Sequence, residues 1–147
     1  MSRDKLAVVM PVYNEEACIA AVLRKWVAAL NVLELDYRIH VYNDGSKDHT
    51  LEVLNRTAAE LGDKVVVHDK PNGGHGHTIL TGYRQNCEQN DWIFQIDSDD
   101  EMGPESFPEL WAVRHDYDLL VGYRDGRVQS FIRKNISLVS RLSVRLL

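Results

Sequence analysis

The run Lys5-Leu-Ala-Val-Val-Met-Pro-Val12 shows no alternation of apolar and polar residues. A strand built this way is covered on both faces, as strands of parallel sheets are. Pro11 cannot donate to a ladder, so it is expected at the strand's end. The next residues change period. Ile19, Val22, Leu23, Trp26, Val27 and Leu30 form one apolar stripe at helical spacing. Tyr13-Asn-Glu-Glu16 is expected to open that helix, with Asn14 as N-cap and Glu15 and Glu16 at the positive end of the dipole.

The same alternation recurs along the chain. A strand over Tyr37–Tyr42 closes in Asn43-Asp-Gly-Ser46. A helix capped by Ser46 or Asp48 then runs to Leu61 and Gly62, with Leu51, Val53, Leu54 and Ala58 inward. Lys64–His68 reads as a strand, Lys70–His77 as a Gly-rich loop, and Thr78–Gln89 as a helix. Trp92–Ile96 is the next strand, Pro104–His115 a helix packing Phe107, Leu110, Trp111 and Val113, and Asp118–Tyr123 a fifth strand. Strands alternating with helices predict a mostly parallel sheet with right-handed crossovers in a three-layer α/β/α, Rossmann-like domain. Ligands of such sheets bind beyond the carboxyl ends of the strands.

Length and composition limit the alternatives. The 147 residues suit one domain, 1–147, and 44% apolar residues suffice for a core. No apolar run approaches the roughly 18 residues of a membrane span, and the first one is too short for a signal peptide. Cys18 and Cys87 read as reduced packing thiols. The net charge of −5 conceals a basic segment over 124–147, where six basic residues face one acid and the rest of the chain sums to −10. An acidic body does not suit nucleic acid. The basic, irregularly amphipathic segment suits either a helix on an anionic membrane surface or one covering its own sheet.

Chemistry concentrates where strands end. Four of the five residues Asp97-Ser-Asp-Asp-Glu101 are acidic. Asp97 and Asp99 are spaced so that both can reach one Mg²⁺ or Mn²⁺, ions that keep coordination positions open for phosphates. An acidic turn capping the next helix explains the same spacing. The glycine loop lacks the Gly-Lys-Ser/Thr ending of a P-loop, and the first turn lacks Gly-x-Gly-x-x-Gly. Its glycines admit a phosphate or sugar close to the backbone, or serve only a flexible turn. His75 and His77 lack the Cys/His partners of a metal set. Tyr13 can stack on a base and Glu15 can accept from ribose or base N–H groups, or the two can simply cover the sheet edge and the helix start.

Four segments in order, Pro11-Val-Tyr-Asn-Glu-Glu16, Asn43-Asp-Gly-Ser-Lys-Asp-His-Thr50, Asn72-Gly-Gly-His-Gly-His-Thr78 with Gly82, and Asp97-Ser-Asp99, resemble the family-2 inverting glycosyltransferases. They most resemble the branch of dolichol-phosphate mannosyltransferase and bacterial polyprenyl-phosphate transferases. The resemblance implies the GT-A nucleotide-diphospho-sugar transferase fold. It places Pro11, Tyr13, Glu15, Asp44, Gly74, Gly76, Asp97 and Ser98 around a UDP- or GDP-linked sugar, with Asp44 reading the base. It makes Asp97 and Asp99 the catalytic Asp-x-Asp pair and, with Glu101, the Mg²⁺ or Mn²⁺ ligands. Arg124 falls where a phosphate contact is expected.

Such a protein transfers a sugar with inversion to an acceptor, in that branch a polyprenyl phosphate, at the cytoplasmic, inner face of a membrane. The family chain continues past Leu147 with acceptor-site residues, so a fragment that binds the donor without turnover is the alternative expectation. A nucleotidyltransferase is disfavoured, because Pro11-Val-Tyr-Asn-Glu15 is neither Gly-rich nor basic.

Overall fold

The computed structural model describes residues 4–122. They fall into two compact units that part between Trp111 and Ala112. The first holds a four-stranded parallel sheet. Its strands are β1 (Lys5–Val12), β2 (Asp36–Asp44), β3 (Val65–Lys70) and β4 (Trp92–Gln95), in the order β3-β2-β1-β4. The parallel, helix-flanked sheet expected from the alternation is therefore present.

β1 is central, and every residue after Lys5 in it is buried. Pro11 stands at its penultimate position, opposite Tyr42 of β2 and beyond Val9, the last residue that pairs with β4. A missing N–H is tolerated where one ladder has already ended.

On one face lie α1 (Ile19–Val32) and α2 (Thr50–Leu61). All six stripe residues of α1 are buried, in one cluster with Leu6, Val8, Met10, Ile39 and Val41 of the sheet and Leu54 of α2. Burying each such side chain contributes about 1.5–3 kcal/mol. Of the inward residues expected in α2, Leu54 is fully buried while Val53 and Ala58 are partly so; Thr50 and Thr57 take the other buried places. Trp26 meets Phe94 and Phe107 at ring-centroid distances of 5.6 and 6.2 Å, which ties the start of α4 (Phe107–Ala112) to the same cluster. On the opposite face α3 (His75–Asn86) approaches closely at Gly82, where a Cβ would lie 2.4 Å from Val9 Cγ1.

Three expected helix boundaries change. Asn14 is not an N-cap: α1 begins at Ile19 after Cys18, and Asn14 takes a left-handed φ of 55° in the preceding turn. α3 begins at His75, so His75, Gly76 and His77 belong to its first turn and the glycine loop shortens to 71–74. The expected helix over Pro104–His115 is divided into a 3-10 turn at Pro104–Ser106, α4, and a 3-10 turn at Arg114–Asp116.

In the second unit, residues 118–122 form no strand. Leu119 and Val121 are each 78% exposed, and 118–122 pair with no strand among the described residues. Cys87 is exposed rather than packed, and both thiols are free. Arg124 and the basic segment 124–147 lie outside the described residues, and no helix among those described is long and apolar enough to cross a membrane.

Candidate functional site

A cleft of about 330 Å³ opens at the carboxyl ends of the strands. From the expected set it brings together Pro11, Tyr13 and Glu15 after β1, Asp44 at the end of β2, Gly74 before α3, and Asp97, Ser98 and Asp99 after β4. Val12, Asn72 and His75 complete its wall. Gly76 and Glu101 do not line it.

The β1 side is held from a distance in sequence. Asn14 N–H donates to Ser46 Oγ at 2.9 Å, and Asn14 Oδ1 accepts from Lys47 N–H at 2.7 Å. Glu15 N–H donates to Thr50 Oγ1 at 2.8 Å, and Glu16 Oε2 accepts from His49 N–H at 2.7 Å. The turn that carries Tyr13 and Glu15 is thus fastened to the loop after β2. Tyr13 keeps 42% of its surface exposed, available for stacking. The Cys18 thiol donates to Glu15 Oε2 at 3.0 Å, and burial together with that carboxylate pushes it up to about 11.

Asp44 is 4% exposed. Its Oδ1 accepts from Gly73 N–H at 2.8 Å and from the Lys70 ammonium, and its Oδ2 accepts from Gly74 N–H at 2.9 Å. Burial alone would raise this carboxyl; the bonds from Lys70 and the Gly73 amide outweigh it and hold the group below the usual carboxylate range. Asn72 Nδ2 donates to the Asp44 carbonyl at 2.8 Å. Asp44 is therefore the anchor of the glycine loop as well as part of the cleft wall. Lys70, absent from the expected set, stands opposite Asp44 in the β2–β3 register. Aligning the two strand ends in the sequence would have found that pair.

The acidic loop presents two carboxylates. Asp97 Oδ1 accepts from Gln95 Nε2 at 3.0 Å, and Asp99 Oδ1 accepts from Glu101 N–H at 3.1 Å. Among the described residues the second oxygen of each meets no hydrogen-bond donor, and two hard oxygen donors suit Mg²⁺ or Mn²⁺. Lys25 draws Asp100 away at 3.4 Å, with Asp100 at a φ of 56°. No three His, Cys, Asp or Glu side chains converge as a preformed metal cluster among the described residues. A cation held here would thus take its remaining ligands from substrate or water.

The family described as "Glycosyl transferase family 2" matches residues 7–139. An undecaprenyl-phosphate 4-deoxy-4-formamido-L-arabinose transferase of Sodalis glossinidius is 34% identical over 139 residues, 93% of this chain and 42% of that protein. Its namesake in Pseudomonas paraeruginosa is 35% identical over 144 residues, 97% of this chain and 42% of its own length. The chain thus spans well under half the length of these relatives.

Among solved structures, S. aureus TarS 1-349 superposes with a TM-score of 0.63 at 23% identity, covering 86% of this chain and 38% of that one. A mannosyltransferase from Pyrobaculum calidifontis, in complex with GDP-Man and Mn2+, superposes with a TM-score of 0.55 at 22% identity, covering 67% and 28%. The fold they share is GT-A.

Proposed function

Because the chain belongs to glycosyl transferase family 2, we propose that its cleft holds a nucleotide-diphosphate sugar for metal-dependent, inverting transfer, with polyprenyl phosphate as the acceptor. The observation that carries this reading is the meeting of the Pro11–Glu15 turn, Asp44, Gly74 and the Asp97–Asp99 pair around one cleft. Tyr13 and Pro11 flank the nucleoside, and Glu15 accepts from its hydroxyl or N–H groups. Asp44 holds Gly73 and Gly74 where the donor passes.

Asp97 and Asp99 would hold Mg²⁺ or Mn²⁺. Bound there, such an ion neutralises charge on the departing nucleoside diphosphate. The acceptor oxygen attacks the anomeric carbon on the face opposite the leaving phosphate. A phosphate acceptor is already anionic near neutral pH, so this chain need not supply a base. Relatives named as undecaprenyl-phosphate transferases support that acceptor, and a cytoplasmic site at the inner membrane face goes with it.

Calorimetric titration with UDP and with GDP, each with and without Mn²⁺, tests the donor site. Manganese-dependent binding of one of them is expected, lost in Asp99→Ala with the thermal melt nearly unchanged. No binding of either nucleotide would sink the proposal.

A further inference from the structure

His75 has no role by composition or spacing, yet it stands in the cleft wall between the two segments that matter most. It follows Gly74, whose amide is bound by Asp44. Its Nε2 lies 3.5 Å from Asp97 Oδ1 across the cleft. That separation is too long for a good hydrogen bond, so the ring reaches toward the acidic loop without being consumed by it.

The side chain is 63% exposed. Nothing lies within 4 Å of where a Cβ on Gly74 or Gly76 would sit, so the backbone on either side of the ring is open to incoming atoms. A histidine is also a poor choice at the first residue of a helix, where acids and small polar residues suit the dipole better. Local helix stability does not explain it, and such mismatches collect at functional sites.

We propose that His75 is a donor-binding residue, its Nε2–H hydrogen-bonding the sugar-bearing phosphate of the nucleotide diphosphate. The inference rests on the reading of the cleft as a donor site. Its physical basis is placement. The glycine loop fastened to Asp44 lies on the nucleoside side, and the Asp97–Asp99 carboxylates lie where a cation would draw the diphosphate. The imidazole stands between them with a donor facing the second phosphate. A neutral imidazole suffices, since its Nε2–H can donate to an anionic phosphate oxygen, a charge-assisted bond.

Calorimetry on the whole chain with Mn²⁺ tests this by comparing UDP with UMP and GDP with GMP. In His75→Ala, the diphosphate that the wild type binds should weaken about tenfold, the usual effect of removing a charge-assisted bond. The matching monophosphate should change less than twofold. His75→Gln, which keeps an N–H donor, should recover part of the loss. Equal weakening of both nucleotides would mark a general structural effect and overturn the proposal. So would diphosphate binding that is unchanged in His75→Ala, while leaving the donor-site reading intact. Absence of nucleotide binding by the wild type would remove both.

Discussion

At the scale of single residues, Asp44 shows how a motif position can also be a structural anchor. The family resemblance assigns it to base reading, and it does line the cleft. Its carboxylate also accepts from Gly73, Gly74 and Lys70. Asp44→Asn would turn an amide N–H₂ toward donors and leave the Lys70 ammonium, only 16% exposed at its side chain, without its partner. Breaking a buried pair by removing one member costs on the order of 3 kcal/mol. The urea midpoint of this variant should therefore fall, unlike that of Asp99→Ala. An unchanged midpoint would show that the glycine loop does not depend on the carboxylate. The sequence made the residue visible as chemistry. It did not reveal the anchor, because the partners come from β3 and the loop after it.

Among elements, the strands and the α1 stripe were legible because apolar period is a local property of the chain. Helix starts were not. Asn14-Glu15-Glu16 has the composition of a cap, but its bonds run to Ser46, Lys47, His49 and Thr50, and the helix waits until Ile19. The Asp118–Tyr123 run has strand composition, yet its described part, 118–122, forms no strand. The start of α3 lies three residues before Thr78, out of reach of local pattern, because glycines and histidines are weak helix formers and tertiary contact fixes it.

The fit of that helix on the sheet is testable. Gly→Ala inside an exposed helix gains up to about 1 kcal/mol. At Gly82 the new methyl would sit 2.4 Å from Val9 Cγ1 and 3.1 Å from Tyr42 Cε2, and overpacking of that kind costs about 1–3 kcal/mol. The sign should reverse, with Gly82→Ala melting at lower urea than the wild type. A higher midpoint would mean that α3 sits farther from β1.

Across the whole molecule, acid should act before the carboxylates titrate. His40 Nδ1 and His68 Nε2 lie 3.1 Å apart, and the His68 ring stacks on Tyr42 at 4.4 Å. Burial, then the neighbouring His68 and Arg38, lower His40 to about 4; burial lowers His68 too. The unfolded chain takes up these protons first, near a pKa of about 6.5. Stability is therefore full above that value and falls as pH drops toward 4. With allowance for partial exposure, His40 contributes roughly 2 kcal/mol to that fall. Urea midpoints between pH 7 and 4.5 should show the slope, and His40→Gln should flatten it. An identical slope in the variant would assign the acid sensitivity elsewhere.

The turn after β1 is tied down by the backbone N–H groups of Asn14, Glu15 and Glu16, and by the Asn14 and Glu16 side chains. The side chains of Tyr13 and Glu15 face the cleft without carrying those ties to the loop after β2. With the cleft read as the proposed donor site, donor preference and scaffold are thereby separable traits. On that reading a lineage, or a designer, can vary positions 13 and 15 to admit a different nucleotide while the strand ends stay where they are.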